Sequence, residues 1–234
     1  MDFPYLPAEI DFEFPSCIPG ESLVAVGGNL SPGILLSAYR RGIFPWYNDD
    51  TQPIMWHSPD PRFVLFPDQL HLGKKFRSFM KKQSWIVRLD HNFSKMIACC
   101  AAVPREGQNG TWITKNMQQA YIKLHELGFA HSCEVYDGQE EFIGGFYGIN
   151  LRKIFFGESM VSLKSQVSRY ALAKFIQYFL PKGLQMIDCQ QETEYLGSMG
   201  AQSISRDEFL GILAHSNAEN VWRGNWAHRF SDFA

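Results

Sequence analysis

The stretch from Ile154 to Gln190 constrains the fold more than any other part of the chain. An apolar run, Ile154-Phe155-Phe156, meets Gly157-Glu158-Ser159-Met160, an amphipathic stretch follows, and a second strand-like run closes the unit, Met186-Ile187-Asp188-Cys189-Gln190. Side chains alternate across a strand, so Asp188 and Gln190 are expected on one face and Ile187 and Cys189 on the other. Glu158 is expected where the first strand turns into the helix, a place that exposes side chains and leaves backbone N–H groups unpaired. Three polar side chains without a nucleophile read as a site. The same residues also fit a plainer role, a Glu favoured by a helix dipole and an Asp capping a loop.

Around this unit the punctuation is clear. Ser31-Pro32 offers an N-cap and a proline at the first helical position, with Ile34, Leu35, Ala38 and Tyr39 on one stripe and Gly42 closing the helix. The aromatic, proline-broken runs at 43–47 and 54–61 suit a rigid loop or short edge strands. A small N-terminal domain, 1–61, and a larger domain, 62–234, follow from that break. In the second domain the pattern predicts a strand at 63–66, a basic helix over 72–82, a strand at 85–89 and a helix over 93–102. A further helix, capped by Thr114 and ended by Gly128, carries Met117, Tyr121, Leu124 and Leu127. Two strands at 131–136 and 141–149 should turn at Asp137-Gly138. Pro181 and Gly183 stop the helix of Val167, Ala171, Leu172, Phe175 and Phe179, and Ser205-Arg206-Asp207-Glu208 is a capping box. Antiparallel strands followed by strand, helix and strand predict an α/β layered sheet.

Composition narrows the function. With 22 basic and 24 acidic residues the net charge is -2, so any nucleic-acid contact must come from a local patch. Cys17, Cys99, Cys100, Cys133 and Cys189 are odd in number and form no C-x-x-C pair, which points to reduced thiols in the cytoplasm. Met1-Asp2-Phe3-Pro4 shows no secretory signal, and no segment approaches the ~20 apolar residues that span a bilayer. Nucleophile-elbow, phosphate-loop and H-E-x-x-H motifs are absent. His125 and His131 flank a helix end and read as caps rather than metal ligands, so no metal is expected. The strand–helix–strand layout is similar to acyl-coenzyme A N-acetyltransferases. Here, however, an acid stands where phosphates would bind and glycines are too few, so no coenzyme A or other cofactor is expected.

Seven motifs in order carry a specific resemblance: Gly27–Pro32, Tyr39–Trp46, Trp56–Arg62, Gly110–Thr114, Leu124–Gly128, Gly157–Met160 and Ile187–Gln190. From about Gly27 to Leu210 the chain resembles leucyl/phenylalanyl-tRNA–protein transferases. The resemblance implies an acetyltransferase-like sheet domain beside a small N-terminal domain. It also implies an aminoacyltransferase that moves Leu or Phe, with Met as a further donor, from aminoacyl-tRNA to an N-terminal Arg or Lys, marking the acceptor for degradation under the N-end rule. A monomer with neither membrane nor DNA as partner completes that expectation. Two alternatives stand beside it: a homologue acting on a different acceptor amine, and a non-catalytic aminoacyl-tRNA-binding protein.

An aminoacyl ester is already activated, so the task left is to hold an amine at the carbonyl, take its proton and stabilise the oxyanion. By resemblance Asp188 and Gln190 carry the chemistry and Glu158 organises the site. Asp188 would orient the ammonium or the basic side chain beside it, Gln190 would bond the attacking nitrogen, and Gln190→Ala should nearly abolish turnover. Phe146, Phe155, Met160, Leu172, Phe175, Phe179 and Ile187, with Ser159, are candidates for the amino-acid cavity, although any one of the apolar residues taken singly reads better as core. Trp46 and Trp112 could stack the terminal adenine. Lys74, Lys75, Arg77, Lys81 and Lys82 form a basic run free of acids, read as a solvated helix face or a tRNA backbone contact. The family pattern usually has Arg and Asn where this chain has Leu163 and Gln166. Thr193 and Tyr195 likewise replace the family's Asn and His, and Glu192 and Glu194 make that region more acidic.

Overall fold

A computed structural model of the chain describes residues 3–103, 111–216 and 222–233, which leaves Met1, Asp2 and the Gly110 of the fourth motif outside. The small N-terminal part contains β1 (Leu23–Val26), α1 (Pro32–Arg40), β2 (Phe44–Pro45) and β3 (Met55–His57), with its strands in the order β1-β3-β2. The larger part contains β4 (Arg62–Leu65), α2 (Lys74–Met80), β5 (Ile86–Leu89), α3 (Phe93–Ala102), α4 (Lys115–Glu126), β6 (Ala130–Tyr136) and β7 (Phe142–Leu151). It continues through β8 (Ile154–Ser162), α5 (Val167–Phe179), β9 (Met186–Gln190), α6 (Glu194–Gly197), β10 (Gln202–Ile204), α7 (Arg206–His215) and α8 (Trp226–Arg229). Its seven strands run in the order β10-β4-β9-β8-β7-β6-β5. Only β8 and β9, joined through α5, are parallel.

The sheet is covered on both faces. Residues of α1, α3, α4 and α7 form one apolar cluster with Ile154, Phe156 and Val161 of β8, and this cluster runs without a break into the N-terminal part. On the other face α2, α5 and α8 pack over Phe146, Phe155 and Ile187. Two of the predicted caps act as expected, the Thr114 and Ser205 hydroxyls accepting from the amides of Met117 and Glu208, whereas Ser31 precedes α1 without a side-chain cap bond. The hairpin between β6 and β7 forms, but its left-handed residue is Glu140 rather than Gly138, and the amides of Gln139 and Glu141 bond to the Asp137 carboxylate.

Two expectations fail at the centre. Glu158 lies inside β8 rather than at a strand-to-helix turn, because β7 supplies a partner for the ladder as far as Ser162. Within that ladder Tyr147 faces Ser159 and Gly148 faces Gly157, so Glu158 is the extra residue of a β-bulge. The bulge shifts the alternation by one. Phe155 and Met160, an odd number of residues apart, therefore pack on the same face, while Val161 turns to the other. Gly148 opposite the bulge has no room for a side chain, since a Cβ there would lie 2.1 Å from the Phe156 carbonyl oxygen. The strict alternation expected of Asp188 and Gln190 also fails. Phe63 pairs with Gln190 and Val64 with Asp188, which leaves Cys189 as a second extra residue, and Gln190 is left-handed at φ 63°.

Candidate active site

The pairing of β8 with β9 runs from Ile154–Met186 to Phe156–Asp188, and both strands continue beyond it. At this point two cavities meet. The first, about 310 Å³, is lined by Phe146, Phe155, Met160, Leu172, Ile187 and Leu196, and the polar residues on its wall include Glu158, Ser159, Asp188, Gln190, Thr193 and Tyr195. The second, about 150 Å³, lies between Phe44, Pro45, Trp46 and Trp112 on one side and Glu158, Cys189, Gln190 and Thr193 on the other. Glu158 and Gln190 line both.

The polar side chains are held from opposite directions. Asp188 and Arg62 are completely buried and form a two-pronged pair, Arg62 Nε to Asp188 Oδ1 at 2.8 Å and Nη2 to Oδ2 at 2.6 Å. Arg62 also donates to the Gly42 carbonyl and lies against the faces of Phe44 and Phe209. Asp188 Oδ1 accepts the backbone N–H of Gln190 at 2.9 Å, an Asx turn that fixes the left-handed residue. The amide of Gln190 then donates from Nε2 to Glu158 Oε1 at 2.9 Å. Glu158 also accepts from Tyr39 Oη at 2.7 Å and from Tyr121 Oη at 2.9 Å, and the two phenol oxygens are in contact with each other.

These surroundings set the charges. Burial, the largest influence, pushes the Glu158 carboxyl up to about 7, against the hydrogen bonds from Tyr39, Tyr121 and Gln190, with the Asp188 charge adding to the rise. Burial beside Glu158 raises both phenols well above the usual range, so they remain donors. The Cys189 thiol, which sequence reading left out of the site, lines both cavities, yet burial and the Asp188 charge push its pKa up, so it stays protonated.

The structure brings together most of the sequence candidates. Phe146, Phe155, Ser159, Met160, Leu172 and Ile187 line the first cavity; Trp46 and Trp112, half-buried, line the second. Phe175 and Phe179 do not: both are fully buried behind the first cavity, Phe175 packed on Phe155 and Phe179 on Trp226. Asp188 belongs to the wall of the first cavity but is completely buried, its carboxylate held by Arg62 and the backbone N–H of Gln190. Lys74, Lys75, Arg77, Lys81 and Lys82 are all exposed on and beside α2. Sequence reasoning missed Arg62, Tyr39 and Tyr121 as site residues. The two tyrosines stood on apolar helix stripes, where a hydroxyl must find a partner.

His131 Nδ1 lies 2.8 Å from Asp90, whose oxygens also accept from the amides of Ser132 and Trp226. Together with His125 these residues bring one possible metal-ligand atom each to within 4.8 Å of one another, the one such group among the described residues. The group lines neither cavity.

Known proteins match over both parts of the chain. A model of the leucyl/phenylalanyl-tRNA protein transferase family matches residues 64–214, and the model of that family's N-terminal domain matches residues 28–60. The leucyl/phenylalanyl-tRNA–protein transferase of Myxococcus xanthus is 50% identical over 204 residues, covering 87% of this chain and 86% of its own. Those of Xanthomonas axonopodis pv. citri and Xanthomonas oryzae pv. oryzae are 48% and 46% identical, over 90% and 99% of this chain and 84% and 90% of theirs.

Proposed function

The chain belongs to the leucyl/phenylalanyl-tRNA–protein transferase family, and from that membership we propose how its paired cavities join an amino acid to a protein N-terminus. The aminoacyl side chain occupies the first cavity, whose apolar, Met-containing wall accepts both branched and aromatic shapes. The terminal adenosine sits between Trp46 and Trp112 in the second, which puts the ester beside Glu158 and Gln190. The exposed cations of α2 and the residues following it take the tRNA backbone.

The acceptor amine enters at Gln190. With its Nε2 committed to Glu158, the carbonyl Oε1 is left to accept an N–H from the attacking nitrogen. Asp188 and Arg62 act as positioning residues through the Asx turn. A thiol kept protonated beside the site agrees with direct attack of the amine on the ester rather than a covalent enzyme intermediate. The acceptors are N-terminal Arg or Lys, the enzyme is a cytoplasmic monomer, and the division between its two domains falls at Pro61. The separate strand sets on either side of that residue support the division. Among the described residues no helix is long and apolar enough to cross a membrane.

The observation that carries this reading is the sharing of Glu158 and Gln190 by an apolar cavity and a tryptophan-walled one. Its test is to mix the protein with labelled Phe-tRNA and peptides that differ only in their first residue. Label should pass to Lys- and Arg-initiated peptides; transfer to other amines alone would assign a different acceptor, and no transfer would reject the enzymatic reading.

A further inference from the structure

The carboxyl of Glu158 and the hydroxyls of Tyr39 and Tyr121 touch pairwise in a closed triangle, supplied by β8, α1 and α4. Three contacts need three protons if each is to be a hydrogen bond, and the two phenols bring only two. With Glu158 ionised, both phenols donate to the carboxylate. With Glu158 protonated, the triangle closes as a ring in which Glu158 donates to Tyr39, Tyr39 to Tyr121 and Tyr121 back to Glu158. Both states therefore keep the two phenols hydrogen-bonded to the carboxyl without moving a heavy atom, and the phenol–phenol contact gains its proton only in the protonated state. Three of the four lone-pair positions of the ionised carboxylate are filled, two on Oε1 by Tyr39 and Gln190 and one on Oε2 by Tyr121. One acceptor position is left on a carboxylate that lines both cavities.

We propose that Glu158 is the proton carrier of the transfer, with Tyr39 and Tyr121 as the positioning residues that stabilise it in both protonation states; this rests on the reading that the two cavities hold the donor ester and the acceptor amine. A free amine attacks the ester carbon, forming the C–N bond as the carbonyl electron pair moves onto oxygen. The proton of the attacking nitrogen passes to Glu158. The C–O bond to the ribose then breaks, its electron pair stays on the ribose oxygen, and Glu158 returns the proton there. Amide and free hydroxyl result, and the carboxylate is regenerated with nothing else consumed. The groups that set its titration are Tyr39 and Tyr121, Tyr147 of β7 next to both phenols, and Asp188 of β9 with its partner Arg62. Burial among them holds the carboxyl at about 7, where proton uptake and return both proceed at neutral pH.

The test is the pH profile of Phe transfer to a Lys-initiated peptide in wild type, Tyr39→Phe, Tyr121→Phe and Glu158→Gln. Wild type should show a rising limb centred near neutrality, below the limb of the acceptor amine at about 8. Each phenol stabilises the ionised form more than the protonated one, so each Tyr→Phe change should move the lower limb upward by about one pH unit while the amine limb stays. Glu158→Gln should erase the lower limb and lower the plateau at least ~10²-fold. A wild-type plateau in Glu158→Gln, or a lower limb that neither tyrosine change moves, overturns the proposal and leaves the transferase reading intact; a wild type that transfers nothing overturns both. Should the tyrosine variants fail to fold, infrared titration of the carboxyl in the folded wild type, with Glu158→Gln as blank, decides instead. A midpoint near 7 supports the carrier, and one in the ordinary range near 4.5 rejects it.

Discussion

Replacing the buried Arg62–Asp188 pair by apolar residues should separate stability from activity. Both side chains are wholly removed from solvent, so deleting one partner strands the other charge. Asp188→Asn leaves the guanidinium with the Gly42 carbonyl and two aromatic faces, an expected cost of about 3–5 kcal/mol. A domain has about 5–15 kcal/mol of stability in total, so this single change brings the fold near its limit. The double change Arg62→Met with Asp188→Leu removes both charges and should recover most of that loss, since well-packed apolar groups replace buried ion pairs at little cost. It cannot restore the Asx turn. The Gln190 N–H loses its acceptor, the left-handed residue is released, and a misplacement of about 1 Å costs roughly 10²-fold in rate. Urea unfolding followed by tryptophan fluorescence reads the stability, and single-turnover Phe transfer reads the rate. A double variant that is stable and fully active would refute the claim that Asp188 acts by placing Gln190.

Further outcomes follow from neighbouring features. Gly148→Ala puts a Cβ 2.1 Å from the Phe156 carbonyl oxygen, so the bulge that holds Glu158 must shift; thermal unfolding should show a loss of at least about 1–3 kcal/mol, and an unchanged melting temperature would contradict the bulge. Because the Glu158 carboxyl is raised from 4.5 to about 7, the folded state binds the proton more tightly than the unfolded chain. Its contribution to stability is complete below about 4.5 and lost as pH rises through 7, a difference of about 3 kcal/mol that urea titrations should find in wild type and not in Glu158→Gln. Trp46→Ala and Trp112→Ala should each cost ~1–3 kcal/mol of binding to Phe-tRNA, seen as a raised KM; an unchanged KM would remove adenine stacking from the second cavity.

The fold was legible wherever a signal is local. Pro32 at the first helical position with Gly42, Thr114 with Gly128, and the Ser205 hydroxyl at the Glu208 amide act through atoms a few residues away, and the helices they bound lie where the pattern put them. The site was legible in its residue types but not in its geometry. Nothing near Glu158 announces a bulge, because an extra residue exists only relative to the register of β7. Gln190 is left-handed for a similar reason: β4 holds the opposite side of that turn, and Arg62, the partner that occupies Asp188, lies 126 residues away. Phe175 and Phe179 have the stripe spacing of cavity residues, and only the packing of α8 on that face shows that they support the wall instead of forming it.

The most direct measurement is the single-turnover rate of Phe transfer to a Lys-initiated peptide in Gln190→Ala, with both substrates saturating. Gln190 touches both the Asp188 turn and the Glu158 carboxyl, so its loss should cut the rate at least ~10²-fold while the urea midpoint stays within about 1 kcal/mol of wild type. A variant that transfers at the wild-type rate would show that the amine is not met at this residue.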